Sequence, residues 1–170
     1  MVWLRLALCA VLLPGMSLGL GPWWLLQSRW GGRIDLGALH LVGWLPVAAG
    51  AALMLWCWYD FAVRGRGTPA PYDPPRALVT SGPYRAVRNP MYVAGVLFLL
   101  GLATVTGAPG LVAYAGAFWL LAVLFVAGYE EPALERRFGS AYEAYRRAVP
   151  AWIPRWPARP RRPRQPRPEA

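Results

Sequence analysis

The chain has 170 residues, 56% of them hydrophobic, with ten Trp and a net charge of +10. A mean hydropathy of +0.31 excludes a polar, disordered chain and points to an integral membrane protein of one domain rather than a soluble core. All 18 basic residues are Arg, and they lie in loops between apolar runs and in a Pro-rich tail. That distribution fits membrane orientation and anionic lipid, and gives no footing to a nucleic-acid partner.

Residues 3–26 form the first expected span, kinked at Pro14 and closed by the interfacial pair Trp23-Trp24. Apolar character continues to Leu26, so a retained helix is expected rather than a cleaved leader. A short polar loop with Arg29, Arg33 and Asp35 leads to a second span, 37–62, interrupted by Pro46 and ending in the belt Trp56-Cys57-Trp58-Tyr59. Its length suffices to cross a hydrocarbon core of about 30 Å. His40 near its start reads as an interfacial packing residue, and Asp60 at its end as an interface residue. Cys9 and Cys57 fall inside apolar runs, where Cys behaves as a small hydrophobe. Neither has a Cys or His at ligand spacing, so the sequence offers neither a metal site nor Cys–His or Ser–His catalysis.

Arg64–Arg88 is the longest internal loop, and Gly65, Gly67, Pro69, Pro71, Pro74 and Pro75 rule out a regular helix through it. It ends in the densest cluster of polar, turn-forming and aromatic residues in the chain, Leu78 to Tyr92. There Gly82-Pro83 marks a turn, and Asn89-Pro90 reads as an N-cap followed by a first helical residue. Spans three and four, 90–106 and 111–129, are joined by the uncharged Gly107-Ala108-Pro109-Gly110. So short a connection makes them a helical hairpin, which brings Arg88–Tyr92 and Glu130-Glu131 to one end. Two adjacent carboxylates at the end of a membrane helix are costly unless they meet water, cations or a ligand.

Beyond them Leu134 and Phe138 lie one turn apart, Gly139 is suited to end a helix, and Ser140-x-x-Glu143 has the capping-box pattern. Tyr142 and Tyr145 share a face. The tail, 151–170, is dominated by Pro and Arg and reads as disordered and attracted to anionic lipid, so the folded domain is expected to be 1–150. The Arg asymmetry puts both termini and both motifs in the cytoplasm. The expected fold is therefore all-α, a polytopic bundle of about four transmembrane helices with a cytoplasmic-side pocket.

The two motifs together resemble the isoprenylcysteine carboxyl methyltransferases and their bacterial relatives, with the phospholipid methyltransferases as neighbours. The resemblance runs through Leu78-Val79, Gly82-x-Tyr84 and Arg88-Asn89-Pro90-x-Tyr92-x-x-Gly95. It resumes at Glu130-Glu131-x-x-Leu134, Phe138-Gly139-x-x-Tyr142-x-x-Tyr145 and Val149-Pro150, covering about residues 76–154. It implies S-adenosylmethionine as cofactor, a lipophilic acceptor and a bacterial cytoplasmic membrane. It also implies cofactor-binding residues Leu78, Val79, Tyr84, Asn89, Pro90, Met91, Tyr92, Glu130 and Glu131, with Glu130 and Arg88 the candidates for the reaction itself. The chain departs from the family in having Asn89 where His often precedes the Pro. It also has Val126 and Arg76 where the eukaryotic enzymes carry Arg and His, so a prenylated-protein acceptor is unsupported.

The chemistry agrees with that set. The cofactor needs a positive end for its carboxylate, which Arg88, Asn89 and the amides at Pro90 would supply. It needs acceptors for ribose or ammonium, which Glu130 and Glu131 provide, and aromatic walls, which Tyr84 and Tyr92 provide. The residues leave a carboxylate or an amine acceptor open. Two other classes stay in view: a non-catalytic membrane scaffold, and an NADPH enzyme resembling the sterol reductases.

Overall fold

A computed structural model describes residues 14–65 and 76–154. Every regular element among them is helical, with no strand. The start of the first span, Cys9, the proline-rich stretch 66–75 and the tail from 155 onward lie outside the described residues.

The chain enters through a π-helical stretch, Gly15–Leu20, that runs into α1 (Gly21–Gln27). One helical turn, Leu39–Val42, precedes α2 (Trp44–Asp60), and a second π-helical stretch, Phe61–Gly65, prolongs it. The continuous helix Leu39–Gly65 thus passes three residues beyond the expected end at residue 62, and Pro46 sits near its start without ending it. After a 3-10 turn, Gly82–Arg85, come α3 (Pro90–Thr106) and α4 (Pro109–Phe125). A third π-helical stretch, Val126–Glu130, carries α4 into α5 (Glu131–Phe138), and α6 (Ser140–Ala148) follows. Among the described residues two helices, Leu39–Gly65 and Pro109–Phe138, are long and apolar enough to cross a membrane, while α3 is shorter at 17 residues.

α3 has the bounds its punctuation dictates. Pro90 occupies the first helical position, where a missing N–H costs nothing. At the other end Gly107 adopts φ +65°, its N–H donates to Thr104 O (3.3 Å), and the Ala108 N–H reaches back to Ala103 O (3.1 Å). That pair of bonds is a Schellman motif, and it turns the chain at once into α4. The approaching loop seals the turn: the Ile34 N–H donates to Gly107 O at 2.7 Å. His40 belongs to the same seal. Its Nε2 accepts from the Leu36 N–H (3.1 Å), so its Nδ1 carries the proton and donates to the carbonyls of Val105 (2.9 Å) and Thr104 (3.1 Å). His40 is therefore a helix-end cap rather than a packing residue.

α2 and α3 run antiparallel in near backbone contact. A Cβ at Gly50 would lie 2.6 Å from Ala94 O and 2.8 Å from Phe98 N, and one at Gly101 would lie 2.6 Å from Val47 N. Small residues at such a crossing let dispersion and backbone contacts replace the hydrophobic drive that a bilayer lacks. Gly50→Leu should force these helices apart and lower stability by about 1–3 kcal/mol or more. Thermal melting in detergent checks this, and an unchanged midpoint would contradict the packing described.

Three local expectations are corrected. Asp60 is no interface residue: it is fully buried, paired with the Arg64 guanidinium at 2.9 Å, because the segment before Tyr84 folds over the end of α2. Ser140 is the first residue of α6 and its side chain forms no capping bond, since Gly139 is the residue at the cap. In the stretch expected to be tail from 151, Ala151 and Trp152 are seated against α3 and α4, while Ile153 is 80% exposed. There the Asn89 N–H and side-chain amide both donate to Ala151 O (3.2 Å each), and the Trp152 ring packs 4.4 Å from Trp119 and 6.2 Å from Tyr92.

Candidate functional site

The end of α4 owes its shape to a proline. Pro132 has no N–H to offer the carbonyl four residues back, and the Glu131 N–H bonds to Val126 O, five residues back. The same arrangement precedes Pro22, where the Gly21 N–H bonds to Met16 O. Glu130 ends the wide turn, Glu131 begins α5, and both line one cavity.

Each meets the start of α3. The Tyr92 hydroxyl donates to Glu130 Oε2 at 2.9 Å, and Arg88 Nη2 donates to Glu131 Oε1 at 2.6 Å. The two sequence motifs thus join directly across the hairpin. Arg88 also donates from Nη1 to the carbonyls of Val149 (2.8 Å) and Arg146 (3.2 Å), where α6 ends. Its own N–H donates to Pro150 O at 2.8 Å. Arg88 therefore clamps the C-terminal segment to α3 and to Glu131. Asn89 stands at the N-cap position of α3, but its side chain bonds Ala151 instead of the helix.

The facing wall is the 3-10 turn. Tyr84 is buried against Cys57 and Val79, its ring meets the edge of Phe61 at 5.6 Å, and its carbonyl accepts from the Tyr145 hydroxyl at 2.7 Å. Burial pushes the Tyr84, Tyr142 and Tyr145 hydroxyls up, that of Tyr142 to about 12 with the Glu131 charge adding to the effect. These hydroxyls stay protonated at neutral pH and act as donors, so Tyr84 is not a base here.

Between these walls lies a cavity of ≈ 350 Å³, within the size range of small-molecule sites. Of the residues expected to bind cofactor, Leu78, Val79, Tyr84, Asn89, Glu130 and Glu131 line it, as does Arg88. Met91 and Tyr92 line instead a second, smaller cavity of ≈ 140 Å³ that shares Phe61, Tyr84, Arg88, Asn89 and Glu130 with the first. Pro90 is buried and lines neither. A third cavity, ≈ 220 Å³ and almost entirely apolar, shares Pro14, Leu18, Met54 and Trp58 with the second. Sequence reasoning missed Phe61, Arg136 and Trp152. Only Trp152 carried a signal, as an aromatic standing among prolines.

The first cavity presents the aromatic side chains of Tyr84, Phe125 and Tyr129, the carboxylates of Glu130 and Glu131, and the cations of Arg136 and Arg137, the kinds of group that would hold a zwitterionic nucleoside. Among the described residues no group of three or more His, Cys, Asp or Glu side chains is placed to hold a metal ion.

The chain is 33% identical over 129 residues to the cobalt-zinc-cadmium resistance protein CzcN of Cupriavidus metallidurans. It is 31% identical over 129 residues to the nickel-cobalt-cadmium resistance protein NccN of Alcaligenes xylosoxydans xylosoxydans. The matched part is 76% of this chain but 55% and 56% of those proteins, so the chain spans about half the length of the curated relatives it matches. No solved structure matches it. Residues 38–141, which hold both carboxylates, the Arg88–Tyr92 segment and the hairpin between them, match the phospholipid methyltransferase (PEMT) family, and the chain belongs to that family.

Proposed function

We propose that this membrane protein transfers a methyl group from S-adenosylmethionine to a lipid bearing an amine headgroup. The observation that carries the reading is the Tyr92–Glu130 pair, where the larger cavity meets the smaller one that opens toward Met54, Trp58 and Phe118. When bound, the cofactor supplies a sulfonium methyl open to in-line displacement. The chain has to hold the acceptor in line and keep water out. Tyr92 fixes one oxygen of Glu130, and Oε1 has no hydrogen bond from a described residue. An ammonium acceptor would donate to that oxygen and lose its proton to it, freeing the nitrogen lone pair to form the new C–N bond. A carboxylate acceptor at the same point would meet a like charge. The amine is therefore the better of the two acceptors that the sequence left open.

Four spans, with both termini in the cytoplasm, complete the proposal. Its support is the charge on the two ends of the bundle. Arg64, Arg76, Arg85 and Arg88 belong to the end that holds the cavity, as do Arg136, Arg137, Arg146 and Arg147. Arg29 and Arg33, offset by Asp35, belong to the hairpin-turn end. A Cys placed at exposed Arg85 should react with reagent added from the cytosol, and one at exposed Arg33 should not. The reverse pattern would overturn the orientation and the access to cytosolic cofactor. The names of CzcN and NccN suggest a setting of metal resistance. In this reading the part played there is a changed headgroup on the membrane surface, and the anionic lipids near the basic end are the chain's other partners.

The test is calorimetric titration of the purified protein with S-adenosylmethionine, S-adenosylhomocysteine and NADPH. Labelled methyl transfer into phosphatidylethanolamine vesicles follows. Binding of NADPH alone would favour the reductase reading, and three flat isotherms the scaffold. Cofactor binding with transfer only to a lipid carboxylate would overturn the amine.

A further inference from the structure

The cofactor's amino-acid part ends in a carboxylate, and the start of α3 was the natural place to seat it. There, however, both Nη groups of Arg88 are already engaged, and its Nε, which has no partner among the described residues, is buried away from solvent. Arg88 spends Nη1 on two carbonyls and Nη2 on Glu131, and the Arg88 and Asn89 N–H groups bond to Pro150 and Ala151. The positive end has to come from elsewhere on the wall.

α5 supplies it. Glu130, Glu131, Ala133 and Leu134 line the cavity, and Arg136 and Arg137 continue that lining along the same helix. Carboxylate and guanidinium are six positions apart, about 9 Å of helix axis, and the Arg side chain is long enough to reach back over part of it. The cofactor carries its ammonium and carboxylate on one carbon, with two methylenes between that carbon and the sulfonium, so its amino-acid end calls for a cation on a wall that also holds carboxylates, and this helix presents both. Among the α5 and α6 arginines, Arg146 faces Glu135 at 3.8 Å, Arg147 faces Glu143 at 3.9 Å, and Arg137 lies over the Phe138 ring at 5.7 Å. Arg136 makes no ion pair, hydrogen bond or ring contact with a described residue.

Resting on the methyltransferase reading, we infer that Arg136 holds the carboxylate of the bound cofactor. A guanidinium presents two parallel N–H donors to a carboxylate, and its position at the exposed edge of the cavity lets the amino-acid part enter last. Glu130 and Arg136 together then fix which way round the ligand lies, with the methyl toward the second cavity.

Calorimetry with two ligands tests this without turnover. S-adenosylhomocysteine keeps the amino-acid part, whereas 5′-methylthioadenosine has the same adenine, ribose and sulfur without it. Arg136→Gln should weaken S-adenosylhomocysteine binding about tenfold, the scale of a charge-assisted bond moderated by solvent, and leave methylthioadenosine binding unchanged. Arg136→Lys should recover part of the loss, and Arg147→Gln, at a cation outside the cavity lining, should stay near the wild type. Equal loss for both ligands would mean a structural role, and no loss for S-adenosylhomocysteine would remove Arg136 from the site; either overturns the assignment. If the wild-type chain binds neither nucleoside, the methyltransferase reading falls and takes this one with it.

Discussion

Glu130→Gln is expected to weaken S-adenosylmethionine binding by about 1.5–3 kcal/mol, the scale of a hydrogen bond to a charged group. Glutamine keeps an oxygen for the Tyr92 hydroxyl, so the local geometry survives and the change isolates the charge. Melting temperature should hardly move. Glu131→Gln should do the opposite, because its carboxylate is spoken for by Arg88 and its loss is felt by the clamp. Titration and melting of the two single variants separate the roles. A larger affinity loss for Glu131→Gln would reverse the assignment, and a flat isotherm for the wild type would return the scaffold to favour.

The second large effect concerns Arg88. Its side chain is 13% exposed and that of Glu131 is 21% exposed, so Arg88→Met leaves a mostly buried carboxylate without its cation. It also leaves the Val149 and Arg146 carbonyls without a donor. Breaking one side of a buried pair typically costs about 3–5 kcal/mol, and a loss of that order is expected here. The C-terminal segment should come free with it, so limited tryptic digestion ought to cut early at Arg146 and Arg147. The sequence suggested that Arg88 acts in the reaction. A variant that melts like the wild type, resists trypsin and loses only turnover would restore that role.

Much of the framework was legible because punctuation residues fix it. Asn89-Pro90 and Gly107 bound α3 without ambiguity, and a connection as short as Gly107–Gly110 can only return the chain beside itself. From there the meeting of Tyr92 with Glu130 follows. What escaped notice depended on partners distant in the chain. Nothing local marks His40 as the cap of α3, since its acceptors are 64 and 65 residues away. Composition made 151 and 152 look like tail, yet the Ala151 carbonyl and the Trp152 indole seat those two residues. Ser140 matched a capping pattern that the geometry of Gly139 left unused. The engagement of Arg88 was invisible for a related reason: a guanidinium in a motif looks available until its acceptors are known.

The wide turns before Pro22 and Pro132 bear on how such chains are compared. Each one accommodates a residue that a straight helix of the same rise would not hold, so it shifts the phase of everything downstream by one place. A homologue lacking the proline would align properly only with a gap inside the helix, where alignments are least willing to open one. Read without that gap, Glu131 would be matched to the position of Glu130 and the two carboxylates would exchange identities on paper. A variant with Pro132→Ala and Gly128 deleted makes the same exchange in the molecule. Its straightened helix should bring Glu131 opposite the Tyr92 hydroxyl.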